Sequence, residues 1–578
     1  MKKQLLLLSA LFITATGFAQ RATVNWGQEF KMKKGSTDLQ VIQAEKDGIY
    51  LKEGHQALKS YFVIGATTRN SATLVKLDKS LEEVYRNDFN KELKGKEFED
   101  FFFIQKKMYL LATDYIKSDK KLVLFAAEVN KSDGSLAGDW TELDSWTKES
   151  NKDAIDFRAD YNNDSSRMLI VSRIIAKEKN EYYISEFDAK MKSTGKRVMI
   201  SNEFEAKTFQ LEDVVVASNG NIAMVGRVFE YQEGKKKKAK FLDFKNYLIR
   251  IYDAQGSLVK ELNTNVDARW LLSTKLMQLK GRELILAAFY SNTKKGKEVN
   301  GMMVQRINPD NGDIISTSNK ELNTSLISAT DENGDDDDDE SKKERKEREK
   351  LEKIKADEDG FSKYYRFRNF IPASDGGLVI LSEEFNTYTY SVYEGGGGGG
   401  MNSMSMGRWV TYRVYSTGDI MMSKVDAGGN LSWLNVVPKR QEERIQVGSS
   451  NAGGGFSVGF NYFADDLGLP FYSGLISMPV QNKNSIAIIF NDGSRNADVL
   501  RPGQKVKLTM RFSKSDCYML ALDTDKGTLT RSVIFSNDDI PPAMPRLGAV
   551  LDNNLYLVGR QERLLAKSKI AVGKITIK

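Results

Sequence analysis

The feature that most constrains this chain is a short apolar run that returns eight times. The copies are IYLKEG from Ile49, MYLLAT from Met108, MLIVSR from Met168, IAMVGR from Ile222, LILAAF from Leu284, LVILSE from Leu378, IAIIFN from Ile486 and LYLVGR from Leu555. Consecutive apolar residues in so short a run fit a strand buried on both faces, and helical periodicity is almost absent. A second signature follows these runs: a strand ends in Asp or Asn, turns through polar residues and Gly, and resumes as a strand. KLDKSLEEV, IYDAQGSLV, INPDNGDII, KVDAGGNLSW and LDTDKGTLT are the clearest copies, with Asp78, Asp253, Asn308, Asp426 and Asp523 at the turn. Asp and Asn side chains bond the main chain two residues on, and Gly takes the positive φ that closes such a turn. With Asn130 and Asp188 included, the steps from Asp78 to Asn308 are 52, 58, 65 and 55 residues; the later ones stretch to 118 and 97 because insertions intervene.

Each unit therefore offers about four strands. A single twisted four-stranded sheet cannot bury both of its faces and needs neighbours arranged around an axis. The expected fold class is all-β, a β-propeller of four-stranded antiparallel blades, eight in number, with seven as the alternative. The last copy stops one strand short, while residues 23–30 resemble the NLSWLNVV segment of the sixth unit, with Trp26 matching Trp433. An N-terminal strand supplied to the last blade would close the ring and remove an exposed edge.

Ahead of that strand, Lys2 and Lys3 precede an apolar run from Leu5 to Ile13 and the small-residue end Gly17-Phe18-Ala19, the pattern of a secretory signal over 1–19. The run is shorter than the ~20 residues a membrane helix needs, so no membrane span is expected. The propeller is then expected over 20–578 as a monomer, periplasmic or extracellular.

One histidine, His55, and one cysteine, Cys517, leave too few ligands for a histidine zinc site, a cysteine metal cluster, a disulfide framework or a Ser/His/Asp triad with a spare His. No cofactor is expected. Without Lys2 and Lys3 the formal charge falls from +7 to +5, and the run Lys235 to Lys238 with Lys240 is a solvated loop tip, so no nucleic acid is expected as a partner. No Walker loop or dinucleotide fingerprint opens a helix. Paired carboxylates survive as candidate chemistry, Asp465 and Asp466 among them, but their separation is not written in the sequence.

In such a ring the connections from second to third strand, and from each blade to the next, open on one face. That face receives nearly every long insertion: 231–242, 291–300, 323–362, 385–418, 441–470 and 494–515. Rigid repeat scaffolds carry function where loops are long. A charged low-complexity insertion at 329–360 holds an acidic run, in which Asp335 to Glu340 is a weak candidate for Ca²⁺, although the spacing lacks the EF-hand register. The Gly-rich insertion at 385–418 contains Gly395 to Gly400 flanked by Tyr388, Tyr390, Tyr393, Trp409, Tyr412 and Tyr415. Tyr462 and Phe463 repeat the theme in the next insertion. These aromatics are the candidate partner-binding residues, suited to stacking on sugars or anchoring a protein; the alternative is a β-hairpin whose rings pack on one another.

The segments WGQEF near the N-terminus, KVDAGGNLSWLNVVPKRQ from Lys424 and IIFNDGSRN from Ile488, with the triplet Phe18-Ala19-Gln20, resemble the uncharacterised exported β-propeller proteins of the Bacteroidota type. The resemblance implies a propeller in the cell envelope and transfers no catalytic residue. The function expected is a non-enzymatic binding or scaffold protein that engages a protein or glycan through its loop-rich face. The alternative is a carbohydrate-active hydrolase or lyase with carboxylates or tyrosines in the central funnel.

Overall fold

The computed structural model describes residues 22–577 except 32–35, 62–64, 151–152, 177–179, 203–206, 234–239, 264–268, 279–282, 294–297, 323–360, 363–364, 395–407, 448–471 and 562–568. The signal segment, the lysine run at Lys235 to Lys238, the acidic run, Asp465, Asp466, Tyr462 and Phe463 lie outside the described residues. Among those described, the helical segments are two 3-10 turns, Ser494–Asn496 and Phe512–Lys514.

Eight four-stranded antiparallel sheets follow one another along the chain. Blades 1 to 8 cover 36–88, 97–147, 154–202, 209–263, 270–321, 365–437, 475–536 and 543–577, and within each the strands are lettered A to D from the axis outward. The eight recurring apolar runs are the eight B strands. Both faces of a B strand meet neighbouring strands or blades, which is why the runs do not alternate; Leu284–Ser291 is buried at every position. The apolar cores lie between blades. One of them joins Leu39, Leu51 and Val75 of blade 1 to Met544, Tyr556 and Val572 of blade 8.

That last contact closes the ring, and the N-terminal strand completes it. Ala22–Trp26 pairs antiparallel with strand C of blade 8, from Ala22 opposite Ile577 to Trp26 opposite Gly573, so it is that blade's strand D. Its indole meets Phe535 of blade 7 edge-on at 5.4 Å. Gly559 and Gly573 make room for the ring, since a Cβ at either would sit 3.0 Å from it. The count is therefore eight, and the alternative of seven falls away.

The C-to-D turns follow the Asp signature. In blade 4, Asp253 Oδ1 accepts the main-chain N–H of Gln255 at 2.9 Å and of Ser257 at 2.8 Å, and Gly256 takes a φ of 91° that L-residues avoid. Asp78, Asp188 and Asp426 repeat the bond to the residue four positions on. Blade 2 departs from the tight pattern: strand D starts only at Thr141 because residues 130–140 form a longer connection. Among the described residues, the long B-to-C connection of blade 7, residues 494–515, leaves from the opposite face, as the strand order requires.

Candidate binding site

The A strands line the axis, and several carry a β-bulge near the end that opens on the insertion-bearing face. Register shifts fall between Phe98 and Asp100, Leu211 and Asp213, Leu271 and Ser273, and Phe367 and Asn369. A bulge drops one residue out of the ladder and re-aims it. The residues so released are Glu99, Glu212, Leu272 and Arg368, three of them charged. The residues after the bulge tie blades together: Asp213 accepts the Leu276 N–H of blade 5 at 2.9 Å, and Asn369 donates to Ser477 of blade 7 at 2.9 Å.

Two buried charge clusters result. In the first, Glu212 lies 3.2 Å from the Arg227 guanidinium, and Arg227 Nε donates to Tyr247 Oη at 3.1 Å. Arg366, two blades on, stands close enough to act on the same carboxyl. Burial raises the Glu212 carboxyl to about 7, against the pull of Arg227 and Arg366. Burial and the neighbouring Arg227 lower Arg366 to about 10.

The second cluster joins blade 6 to the start of its insertion. Glu383, fully buried, accepts from Lys439 Nζ at 2.7 Å and from Arg368 Nε at 2.8 Å. Burial alone would raise this carboxyl, but Lys439, Arg368 and Arg546 outweigh it and hold it at about 2. Lys439 Nζ also donates to Thr417 and Gln441, each at 2.9 Å. Gln441 in turn donates to the Asn491 carbonyl, and Asn491 donates to the Ala543 carbonyl at 2.8 Å. Asp492 accepts from Arg531 at 2.9 Å and from Thr509 at 2.8 Å. The segments from Lys424 and Ile488 thus tie blades 6, 7 and 8 together.

On this base the Gly-rich insertion forms a β-hairpin. Strand B of blade 6, Leu378–Glu394, pairs with strand C, Arg408–Val425, as far as Glu394 opposite Arg408. Gln441–Val447 adds a third strand against Thr411–Thr417. Tyr388, Tyr390 and Tyr412 share one face, with Tyr390 and Tyr412 stacked at 5.6 Å. Tyr415 is buried, packs 6.4 Å from Phe385, and belongs with Trp409 to the other face. Tyr393 takes the register position opposite Trp409. Trp409 is 67% exposed. The candidate aromatics therefore form two rows on opposite faces of a ribbon, and Trp409 and Tyr412 do not converge.

Beside the third strand lies a cleft of about 600 Å³. Its walls are Glu442 to Ile445 from that strand, Tyr472 and Met510 to Ser513 from blade 7, and Pro542, Arg560 and Gln561 from blade 8. The Tyr472 and Phe512 rings stack at 5.8 Å. Glu443 accepts the main-chain N–H groups of Tyr472 and Ser473, each at 2.8 Å. This cleft was not foreseen from the sequence. Its residues come from three blades, and the one local signal was the pair of insertions at 441–470 and 494–515.

Among the described residues, no group of three or more His, Cys, Asp or Glu residues could hold a metal ion, and no helix is long and apolar enough to cross a membrane. Cys517 is buried, and burial pushes its thiol well up. His55 lies within strand B of blade 1.

Strand order and ring closure define the class: the chain is an eight-bladed β-propeller. No protein-family model matches the sequence, and no curated protein does. Several solved structures are similar to parts of it. One is a protein of unknown function from Dyadobacter fermentans, at 9% identity and a TM-score of 0.29, with 74% of this chain and 98% of that one covered. Another is the β-propeller domain of the trilobed protease from Pyrococcus furiosus, at 11% identity and a TM-score of 0.26, with 73% and 96% covered. Prolyl oligopeptidase B from Galerina marginata matches at 12% identity and a TM-score of 0.26, with 58% of this chain covered. The chain spans only 37% of that oligopeptidase. Likeness at these levels carries no argument about activity.

Proposed function

We propose that this propeller is a non-enzymatic binding scaffold, exported to the periplasm or the cell exterior, that engages a protein or glycan partner through its insertion-bearing face. The observation that supports this reading is the hairpin of blade 6, which projects beyond its blade and presents Trp409 with 67% of its surface exposed. A largely exposed indole contributes less to folding than a buried one and a great deal to an interface, where Trp is enriched among the residues that carry affinity. The hairpin's base is fixed by the Glu383, Lys439 and Gln441 cluster, so a partner meets a pre-organised edge.

The test is recovery of partners from envelope and secreted fractions, and binding to a glycan panel, by the chain and by Trp409→Ala. The reading expects the variant to lose what the parent retains; equal recovery by both counts against it. A second reading, a carbohydrate-active enzyme, draws on Glu212, a buried carboxyl raised to about 7 that could hold a proton at neutral pH. It requires turnover of a polysaccharide that Glu212→Gln abolishes. A panel yielding no new reducing or unsaturated ends removes it.

A further inference from the structure

We infer that Glu212 is a proton-held latch at the junction of blades 4, 5 and 6. While the carboxyl carries its proton the junction stays shut; when the proton leaves, the junction opens locally at the insertion-bearing end of the axis. The inference goes beyond the binding-face reading and does not depend on it.

The placement of the carboxyl carries the argument. The bulge between Leu211 and Asp213 takes Glu212 out of the ladder, and its side chain is only 4% exposed. Arg227 Nε stands 3.2 Å from Glu212 Oε1, yet donates its hydrogen to Tyr247 Oη at 3.1 Å. Glu212 Oε1 is thus buried without a hydrogen-bond donor among the described residues. An ionised carboxylate so placed has given up its water and receives no hydrogen at that oxygen, whereas the neutral acid has no charge to desolvate. Burial outweighs the pull of the guanidinium groups, and the carboxyl keeps its proton up to about 7.

The charged and titratable groups that face Glu212 tie it into three blades. Arg227 and Tyr247 belong to strands B and C of its own blade, Arg366 to strand A of blade 6, and Asp213 follows it in strand A. Asp213 accepts from Lys275 Nζ at 3.0 Å and from the Leu276 N–H at 2.9 Å, both of blade 5. Tyr247 Oη donates to the Leu272 carbonyl of blade 5 at 3.0 Å. Arg366 lies close to Arg227 and Arg368. Glu212 therefore sits among the bonds that hold three A strands together at one end. Water reaches an ionised carboxyl there only as those strands part, so hydration of the anion and opening of the junction are one event.

The shut carboxyl titrates at about 7 and a hydrated one at its ordinary 4.5, so the ratio of open to shut molecules rises about tenfold between pH 6 and pH 8. Hydrogen–deuterium exchange of the full chain at those two pH values, corrected for the intrinsic pH dependence of exchange, reads local opening. Protection of strands Phe209–Val216 and Tyr365–Pro372 is expected to fall about tenfold, while Lys107–Ile116 across the ring keeps its protection. Glu212→Gln and Glu212→Leu are neutral at every pH and should each abolish the fall; two variants, checked by their melting curves, guard against one that misfolds. Unchanged protection of both strands in the parent, an equal fall in Lys107–Ile116, or a fall that persists in a folded neutral variant overturns the latch.

Discussion

The two faces of this ring are built by different physics. On the trimmed face, one short device repeats: an Asp or Asn oxygen accepts main-chain N–H groups two to four residues on, as Asp253 does from Gln255 and Ser257. Its cross-blade pairs reach half-exposed acids, such as Lys424 of blade 6 with Asp525 of blade 7 at 3.4 Å. On the insertion-bearing face the decisive bonds are buried and distant in sequence. Glu383 and Lys439 are 56 residues apart, and Asp492 and Arg531 are 39 apart. Local turns can repeat with every blade because each needs only its own few residues. A buried charge network has no repeat unit of its own; each of the two forms where several blades converge, and it leaves that sector committed to one geometry.

This contrast can be broken most forcefully at Glu383. Its replacement by Ala leaves the Lys439 ammonium buried without its main counter-charge, with an expected cost of about 3–5 kcal/mol. Urea unfolding will measure the loss, and Glu383→Leu with Lys439→Met should recover most of it. The pH dependence carries the same signature. The folded carboxyl at about 2 lies below its ordinary 4.5, so its contribution is fully present above 4.5 and is lost as the pH falls toward 2. Glu383→Gln should flatten that slope. Glu212 has the opposite sign: raised to about 7, it favours the folded state below its ordinary 4.5, and that advantage disappears as the pH rises through 7. Glu212→Gln should flatten the fall in stability over that window.

Ring closure comes next. Trp26→Ala removes the half-buried indole between Phe535, Gly559 and Gly573, for about 2 kcal/mol, less than the 3–5 of a fully buried Trp. The trimmed face should respond least among the structural sites: Asp253→Ala deprives two turn N–H groups of their acceptor, for about 1 kcal/mol by thermal unfolding. Smallest of all is Trp409→Ala, expected within about 0.5 kcal/mol of the parent, although partner capture should fall with it.

Much of the fold was legible because its signals are local. The strand at Leu284 reads as doubly buried from eight residues, and the Asp253 turn from five. Even closure could be read, since Trp26 sits in a strand whose pattern matches Leu431–Val437 and the final blade lacked one. The hairpin flanking Gly395 to Gly400 was foreseen as one of two alternatives, and its register decided which rings share a face. The cleft was not legible. Arg444, Arg511 and Arg560 are separated by 67 and 49 residues, and nothing around any one of them marks it as a neighbour of the others. The bulges that free Glu212 and Arg368 were equally hidden, because a strand with one extra residue has the same local pattern as one without.

By itself, the sequence determined a closed ring of four-stranded sheets and narrowed their number to eight or seven. Strand periodicity and turn chemistry act within about ten residues, and repetition multiplies them into a fold. Only the tertiary structure decided which charges are buried together, which aromatic rings face each other, and where three arginines share a cleft. Those depend on distances between blades, and a Coulomb or stacking energy is set by separation in space, which no run of neighbouring residues encodes.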